Sequence, residues 1–386
     1  MKRFAGLFVS ALMLSVGVLA SAPAAASATF IPAPRNAIAD QYIVVLKDGA
    51  GANAGSVAAD VGAHPKYVYD AALNGFAATL SQGQLRALQK HPRVAYIEQD
   101  QEVSIEMTQP VSGGQWGLDR IDQPNLPLNG TYVFNTMASN VTVYLLDTGI
   151  YLNHWEFGGR AAIAYDVLGT PNPGGDCNGN GTYQAGVIGS GNYGVAKGVQ
   201  LRAVRVLDCN GAGTISGVIA GMNWIAANAV SPAVVNVTLG MGGVNLSVNN
   251  ATTNMVNAGR TVVVSAGSSN ADACNYSPAS ASGVLTIAAS LSNDNRASFS
   301  NYGPCVELYA PGGSITTTSN TGGTNTISGT SLAASHTSGV AALYLAYNPA
   351  ATPAMVNNWI ISNATPGVII GNPPNTPNRL LFKSNL

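Results

Sequence analysis

The chain has 386 residues, of which 46% are hydrophobic and 9% are charged, and its formal net charge is −1. This length allows a large buried core and two domains. The charges are few and nearly balanced, so they give no electrostatic reason to expect binding to nucleic acid or to an anionic membrane. Neither is expected as a partner. The 44 glycines, combined with many apolar residues, indicate a compact, loop-rich α/β protein and not a disordered chain.

The first 28 residues have the pattern of a secretory signal peptide. Lys2 and Arg3 form a basic start, the apolar run of residues 4–20 is shorter than a typical membrane span, and Ala26-Ser27-Ala28 offers a small-residue cleavage site. A membrane anchor is the less favoured alternative, because no other long apolar stretch follows. We therefore expect a secreted, extracellular protein that folds in an oxidising compartment and has no membrane partner after cleavage.

A small separate unit follows, with short strand and helix patterns between residues 38 and 104. Strands are predicted at 42–46, 67–69, 75–80 and 94–98, and helices at 54–61 and 82–89. The order strand-helix-strand-strand-helix-strand is typical of the ferredoxin-like α+β fold. Residues 99–114 are polar with few helix or strand signals, so we interpret them as a linker and processing region.

The remainder of the chain alternates apolar strands with helical stretches. Residues 141–147 form a nearly continuous apolar strand that ends in Asp147. Further strands are predicted at 200–207, 234–239, 261–265, 284–289 and 306–309, and helices at 215–228 and 245–258. The alternation predicts a mostly parallel sheet with helices on both faces. Asp147 is a candidate for catalysis because α/β proteins place chemistry at the carboxyl ends of parallel strands; a turn or capping aspartate is the alternative.

A second candidate, Ser331, lies in the run SGTSLAASH at residues 328–336. A small-residue turn opens an apolar stretch with helical spacing, so Ser331 is predicted to start a buried helix. Unpaired backbone N–H groups and the helix dipole favour developing negative charge there, which suits a nucleophilic hydroxyl beside an oxyanion site. A serine that only caps a core helix is the alternative.

The run GTSLAASHTSGVAALYL resembles the serine-nucleophile motif of the subtilisin-like proteases, in their proteinase K and aqualysin branch, and the similarity covers nearly all of the chain after residue 110. The resemblance implies a subtilase peptidase-like domain at residues 108–386, with Asp147 and Ser331 in the catalytic triad. It also implies that residues 29–107 are an inhibitory propeptide-like domain and linker, preceded by the signal peptide at 1–28. An independent binding domain is the alternative for the middle unit.

The resemblance further implies a cleft that binds a peptide or protein substrate in extended conformation, and the chain's own propeptide. The matching substrate-binding residues are Gly211, Ala212, Gly213, Thr238, Leu239 and Gly240. Glycines at such edges let a substrate backbone approach closely and add as a strand. Ordinary glycine turns are the alternative, and we expect the protein to be a monomer.

Four cysteines, Cys177, Cys209, Cys274 and Cys305, lie in the long domain. Four cysteines allow three pairings, among which the sequence cannot choose. The resemblance to aqualysin-type enzymes implies the pairs Cys177–Cys209 and Cys274–Cys305, each worth about 3–4 kcal/mol in the chain-entropy model. A zinc site is the alternative, disfavoured because no Cys-x-x-Cys pair exists and histidines are few.

No cofactor is expected for catalysis, but the resemblance implies structural calcium. Glu307 falls where an acidic ligand is expected, with the backbone carbonyls near Ser282 and Val284 as further oxygen ligands.

Three positions depart from the family pattern, Asn180, Tyr183 and Ser268. The family places its general-base histidine in a motif that ends H-G-T-H, and the matching residues here are Asn-Gly-Thr-Tyr, beginning at Asn180. An amide has no basic lone pair at neutral pH, so Asn180 cannot take a proton from Ser331. The family's oxyanion-binding asparagine corresponds to Ser268, whose side chain is shorter.

The remaining histidines do not replace the missing base. The chain has four, His64, His91, His154 and His336, and the last two match family positions that carry histidine for other reasons. We therefore predict an exported subtilisin-like serine endopeptidase homologue that is catalytically inactive or severely impaired, a pseudoprotease. The alternative is an active secreted serine endopeptidase of the proteinase K type.

Overall fold

The computed structural model describes residues 27–32, 37–47, 53–69, 74–101, 107–169, 175–241 and 243–386. The chain divides into an amino-terminal unit, Met1–Ser104, and a carboxyl-terminal unit, Ile105–Leu386. The predicted signal peptide lies outside the described residues, apart from its last two positions. Within the described ranges, no helix has the length and apolar character needed to span a bilayer.

The amino-terminal unit has the predicted ferredoxin-like arrangement. Its elements are β1 (Thr29–Ile31), β2 (Ala37–Leu46), α1 (Ala54–Asp60), β3 (Pro65–Tyr69), β4 (Gly75–Thr79), α2 (Gln82–Gln89) and β5 (Val94–Gln101). They form one sheet in the order β1-β5-β2-β4-β3, whose last four strands pair antiparallel. Strand β1 was not predicted; it is short and pairs parallel with β5 at the sheet edge.

Local sequence explains why this unit folds as it does. Ser81 and Gln84 form a reciprocal capping box at the start of α2, which satisfies two N–H groups that the helix leaves unpaired. Leu88 of α2 and Phe76 of β4 are fully buried in the core of this unit. Burial of such side chains contributes roughly 1.5–3 kcal/mol each, so packing and capping both favour the same arrangement.

The carboxyl-terminal unit is larger and α/β. Its elements are β6 (Met107–Pro110), α3 (Trp116–Ile121), β7 (Thr131–Phe134), β8 (Thr142–Asp147), β9 (Ala161–Asp166), α4 (Asn180–Gly189), β10 (Gln200–Arg205), α5 (Ile215–Asn228), β11 (Ala233–Val237), α6 (Leu246–Asn257), β12 (Thr261–Ser265), β13 (Leu285–Ser290), β14 (Leu308–Pro311), β15 (Ile315–Thr318), β16 (Thr324–Ile327), α7 (Thr330–Tyr347), α8 (Pro353–Asn363), β17 (Thr365–Pro366) and β18 (Arg379–Leu380).

The main sheet of this unit has the strand order β17-β18-β14-β13-β12-β11-β8-β10-β9. Only the pair β17 and β18 is antiparallel. Alternate side chains of β8 point into different cores: Val143 and Leu145 pack in the cluster that contains α7, whereas Tyr144 and Leu146 pack in the cluster that contains α5 and α6. The predicted mostly parallel sheet with helices on both faces is confirmed.

Residues 99–114, interpreted as a linker because they show few helix or strand signals, contain the end of one strand and the whole of another. Strand β5 continues to Gln101, and β6 pairs antiparallel with β7. The polar pattern of this segment hid its strands, because main-chain pairing with a partner strand does not require apolar side chains.

Both predicted disulfides are confirmed. Cys177 is bonded to Cys209, and Cys274 to Cys305. No cysteine is left free in the described part of the chain, which contradicts the alternative of a cysteine zinc site. The first bond ties the segment that precedes α4 to the loop that follows β10.

Candidate active site

Asp147 is the last residue of strand β8, and the strands that follow β8 along the chain are added to the sheet on both sides of it. After β8 the chain adds β9 and β10 on one side of it, and it then crosses to the other side, where β11 pairs with β8. Open α/β sheets form crevices at the carboxyl ends of strands at such switch points. The strand order therefore places the predicted catalytic aspartate at the usual position of an α/β binding site.

The carboxylate of Asp147 is buried, with 1% of the residue exposed, and is held by several donors. The backbone N–H of Thr148 donates to Oδ1 at 2.7 Å, and Gln184 Nε2 donates to Oδ2 at 2.8 Å. The side-chain amide of Asn180 donates to both oxygens, at 3.0 Å each. Burial raises the pKa of Asp147, and these hydrogen bonds act in the opposite direction.

Asn180 is the first residue of α4, whose amino-terminal turn is fixed by a second buried carboxylate. Asp176 accepts hydrogen bonds from the backbone N–H of Gly179 at 2.7 Å and of Thr182 at 2.9 Å. Gly181 lies so close to the chain after β8 that a Cβ there would overlap the carbonyl oxygen of Gly149. The close packing of this turn places the Asn180 side chain beside Asp147.

Ser331 is the second residue of α7, a helix that is buried along most of its length. Gly329 precedes the helix and gives it no side-chain cap. The hydroxyl of Ser268 lies 3.1 Å from the hydroxyl of Thr330 and accepts the Thr330 backbone N–H at 3.4 Å. Ser268, predicted at the oxyanion position, is thus in contact with the residue next to Ser331.

Ser268 also lines a cavity of about 280 Å³ beside the second predicted substrate edge. No charged side chain lines the cavity, whose residues are Leu239, Gly240, Met241, Ser265, Ala266, Gly267, Ser268, Ser269, Tyr276, Ser277 and Ala279. The cavity therefore suits an uncharged group of moderate size.

The first predicted substrate edge, residues 211–213, is an exposed loop with a defined turn. Asp208 Oδ1 accepts the backbone N–H groups of Asn210 at 2.9 Å and Ala212 at 3.0 Å, and these bonds lower the pKa of Asp208. Gly211 has φ of +74°, a conformation that favours glycine. The side-chain amide of Asn178 donates to the Cys209 carbonyl at 3.2 Å, which joins this loop to the start of α4.

The histidines of the carboxyl-terminal unit have structural partners. His336 Nδ1 lies 2.9 Å from the Leu332 carbonyl, and burial lowers the pKa of His336 to about 4. His154 Nδ1 accepts the Glu156 N–H at 3.2 Å, and its Nε2 lies 2.9 Å from the Gly323 carbonyl. His64 and His91 belong to the amino-terminal unit.

Glu307, the predicted calcium ligand, is partly buried and accepts the Thr286 backbone N–H at 2.5 Å. Burial raises its pKa to about 7, with hydrogen bonds acting in the opposite direction. In the described ranges, no group of three or more His, Cys, Asp or Glu side chains is arranged to hold a metal ion. A cation at Glu307 would depend on backbone carbonyl oxygens for most of its ligands.

Sequence reasoning missed the buried polar side chains behind Asp147. Gln184, Asn236 and Ser338 are all fully buried, and they form a hydrogen-bonded chain that reaches Asp147. A signal was present in the sequence: Gln184 is a polar residue in a helix of small and apolar residues.

The fold and the site define a class: an α/β protein with a buried aspartate at a strand end and a serine at the start of a buried central helix. The chain belongs to the Subtilase family, whose model matches residues 138–381. A model for Peptidase inhibitor I9 matches residues 41–106, which agrees with a propeptide-like domain before the peptidase-like domain.

Individual relatives cover most of the chain. An extracellular serine proteinase of Thermus sp. (strain Rt41A) is 51% identical over 83% of this chain and 78% of its own length. Proteinase R of Parengyodontium album is 40% identical over 88% of each chain. A crystal structure of a cold-adapted subtilisin-like serine proteinase matches with a TM-score of 0.68 and 47% identity, covering 69% of this chain and 97% of that one. These relatives confirm the prediction of a secreted protein.

Proposed function

We propose that this protein is an exported subtilase homologue that binds extended peptides but hydrolyses them poorly or not at all. The observation that carries the proposal is the position of Asn180, whose amide donates to both oxygens of the buried Asp147. In a working triad, an imidazole occupies this place and transfers the serine proton while the aspartate fixes its tautomer. An amide can fill the place and satisfy Asp147, but it cannot carry the proton.

The surroundings of Asp147 support the same conclusion. Its other described donors are the Thr148 backbone, Gln184 and the Thr238 hydroxyl, none of which is basic. His336 and His154 are buried and engaged with carbonyl groups, so neither is free to act on Ser331.

The expected loss of activity is large. In subtilisin, a member of this family, removing the base lowers turnover by about 10⁶-fold. Losing the oxyanion side chain there lowers turnover by about 10²–10³-fold. The two factors need not multiply, because residues that act as a unit are not additive.

Peptide binding does not require the missing base. The neutral cavity, the exposed Gly240 and the exposed loop at 211–213 leave room for an extended chain and an uncharged side chain. The match of residues 41–106 to Peptidase inhibitor I9 makes the chain's own propeptide a ligand of the same cleft in this proposal.

An active serine endopeptidase of the proteinase K type is the second candidate. The names of the relatives, which include an extracellular serine proteinase and Proteinase R, favour it. So does the presence of Asp147 and Ser331 at the other two triad positions.

Labelling and turnover separate the two candidates. We expect purified protein to react weakly with a fluorophosphonate probe and to leave a chromogenic peptide intact, as the Ser331→Ala variant does. Labelling at Ser331 together with turnover that Ser331→Ala abolishes would overturn the proposal and establish the active enzyme.

We also propose structural calcium at Glu307, as the resemblance implies. The Glu307 carboxylate is partly buried, and the backbone carbonyls near Ser282 and Val284 would supply further oxygen ligands. A lower Tm in a chelator, restored by added calcium, is the expected result, and an unchanged Tm would remove the proposal.

A further inference from the structure

Gln184 lies one helical turn after Asn180, on the same face of α4, and is fully buried. Its Nε2 donates to Asp147 Oδ2 at 2.8 Å. Its Oε1 accepts the side-chain amide of Asn236 at 2.7 Å and the hydroxyl of Thr238 at 2.8 Å. One buried side chain therefore joins the carboxylate at the end of β8 to two residues at the end of β11.

The hydrogen-bond direction in this group follows from Asp147. An ionised carboxylate only accepts, so Gln184 must turn its nitrogen to Asp147 and its oxygen to β11. Asn236 then has to present its own nitrogen to Gln184, which leaves its Oδ1 to accept the Ser338 hydroxyl of α7 at 2.8 Å. Each amide has one orientation that satisfies its neighbours, and buried networks of this kind are rigid when fully satisfied.

Thr238 links this network to the peptide cleft. It follows β11 directly and opens the edge Thr238–Gly240, whose Leu239 and Gly240 line the neutral cavity. Its hydroxyl lies 2.8 Å from Gln184 Oε1 and 3.3 Å from Asp147 Oδ2. A hydroxyl has one hydrogen to donate, so the shorter contact to Gln184 is the main one.

We propose that Gln184 is a positioning residue for peptide binding, which anchors Thr238 and the edge Thr238–Gly240 to α4 and uses the Asp147 carboxylate as its fixed point. The inference rests on the proposed peptide-binding function. In this arrangement Asp147 has a second task besides any catalytic one, because it orients the amide that holds the binding edge.

The experiment compares variants of the full chain that all carry Ser331→Ala, so that binding is measured without turnover. The probe is a fluorescein-labelled peptide of three alanines ending in phenylalanine. Gln184→Met keeps the length of the side chain but removes its hydrogen bonds, and Thr238→Val removes the same contact from the other partner. Losing a buried hydrogen bond typically changes an equilibrium constant about tenfold. Both variants should therefore raise the Kd for the peptide about 10-fold.

The matched control is Thr317→Val. The Thr317 hydroxyl donates to the Tyr183 carbonyl of α4 at 2.8 Å, so this variant also removes a bond to α4, but one in which neither Asp147 nor Thr238 takes part. All variants should have a lower Tm than the parent. At a temperature well below the Tm, only Gln184→Met and Thr238→Val should bind peptide more weakly. Hydrogen exchange at residues 239–241 should accelerate in the same two variants and stay unchanged in the control. This second measurement needs no added peptide, and all variants carry the same propeptide-like unit, so the comparison between them holds whether or not that unit occupies the cleft.

The outcomes separate this inference from the proposed function. If the Ser331→Ala parent binds no added peptide and its residues 239–241 exchange without protection, the cleft holds neither peptide nor propeptide, and the proposed binding function fails together with this inference. If those residues are protected although no added peptide binds, the exchange comparison between variants tests Gln184. If the parent binds but Gln184→Met and Thr238→Val bind as tightly, with unchanged exchange at 239–241, only the role of Gln184 is overturned. If Gln184→Met does not fold, the exchange of residues 239–241 in Thr238→Val decides the matter, because Thr238 is itself a predicted substrate-binding residue and a raised Kd alone has two possible causes.

Discussion

The side-chain amide of Asn180 donates to both carboxylate oxygens of Asp147, at 3.0 Å each. The contact satisfies a carboxylate that is almost completely removed from water, a group that would cost several kcal/mol if left unpaired. It therefore explains how the fold remains stable with an asparagine at this position. It also means that the proposed loss of the base concerns the side chain at position 180, while the turn that carries it is in place.

Restoring the imidazole should restore hydrolysis. Asn180→His is expected to give detectable turnover of a chromogenic peptide, since Asp147 can accept an imidazole N–H where it now accepts the amide. The matched control is Asn178→His, which adds a histidine in the same turn; the Asn178 amide contacts the Cys209 carbonyl and not Asp147. Activity that appears equally in both variants, or in neither although both fold and bind peptide, would contradict our account.

Adding the oxyanion side chain should raise this activity further. Ser268 already contacts Thr330 beside Ser331, so Ser268→Asn places a longer amide at the same location. The double variant Asn180→His with Ser268→Asn should show about 10²-fold higher kcat than Asn180→His alone, a figure taken from subtilisin of the same family. If KM falls while kcat stays unchanged, residue 268 acts on binding and not on the transition state.

Processing of the chain tests the same defect in the native sequence. We predict that the exported product keeps residues 29–107, because self-cleavage needs a competent triad. Intact-mass measurement after expression in a protease-deficient host checks this. A cut near Met107 that disappears in the Ser331→Ala variant would show that the native chain cleaves itself.

Much of the fold could be predicted because its signals are local and repeated. The predicted strands at 200–207, 234–239 and 261–265 are β10, β11 and β12, with ends that differ by up to two residues. Helix α5 has the predicted bounds because Thr214 caps its start and apolar residues recur at helical spacing. Strand β6 could not be predicted, since its only determinant is a partner, β7, that lies about twenty residues further along the chain.

Candidate site positions could be proposed from the sequence, whereas the network that supports them could not. The sequence alone drew attention to three residues, Asp147, Asn180 and Ser331, because each lies in a short run that resembles a family motif. Gln184 and Asn236 acquire their roles only when α4 and β11 meet at Asp147, a tertiary contact that no local pattern encodes. The sequence could show a polar residue in an apolar helix, but not the partners that make it useful.

The two disulfides should contribute equally to stability, but only the first should affect peptide binding. Their sequence separations are 32 and 31 residues, so the chain-entropy model gives each about 3–4 kcal/mol. We expect Cys177→Ala with Cys209→Ala, and Cys274→Ala with Cys305→Ala, to lower the free energy of unfolding by similar amounts. Only the first pair should also raise the Kd for peptide, because Cys209 directly precedes the loop at 210–213. Chemical denaturation and peptide titration measure the two effects.

In the presence of a chelator, Glu307 should make stability depend on pH. Its pKa is raised from 4.5 to about 7 in the folded protein, mainly by burial, so folding favours the protonated form. This contribution is fully present below pH 4.5 and is lost as pH rises through 7; the loss is on the order of 3 kcal/mol. Glu307→Gln keeps an acceptor for the Thr286 N–H and does not titrate. Relative to Glu307→Gln, the native protein should therefore lose unfolding free energy as the pH rises from 4.5 to 8.

Calcium should reverse this pH dependence if it binds at Glu307, because a bound cation favours the ionised carboxylate. We expect added calcium to raise the Tm of the native protein more at pH 8 than at pH 5, and to leave Glu307→Gln unchanged at both. Magnesium serves as the control ion, since it prefers a stricter octahedral set of ligands than one carboxylate and backbone carbonyls provide. Equal stabilisation of the native protein and Glu307→Gln by calcium would place any bound ion elsewhere. An unchanged native Tm in calcium and in chelator would leave the raised pKa of Glu307 as an effect of burial alone.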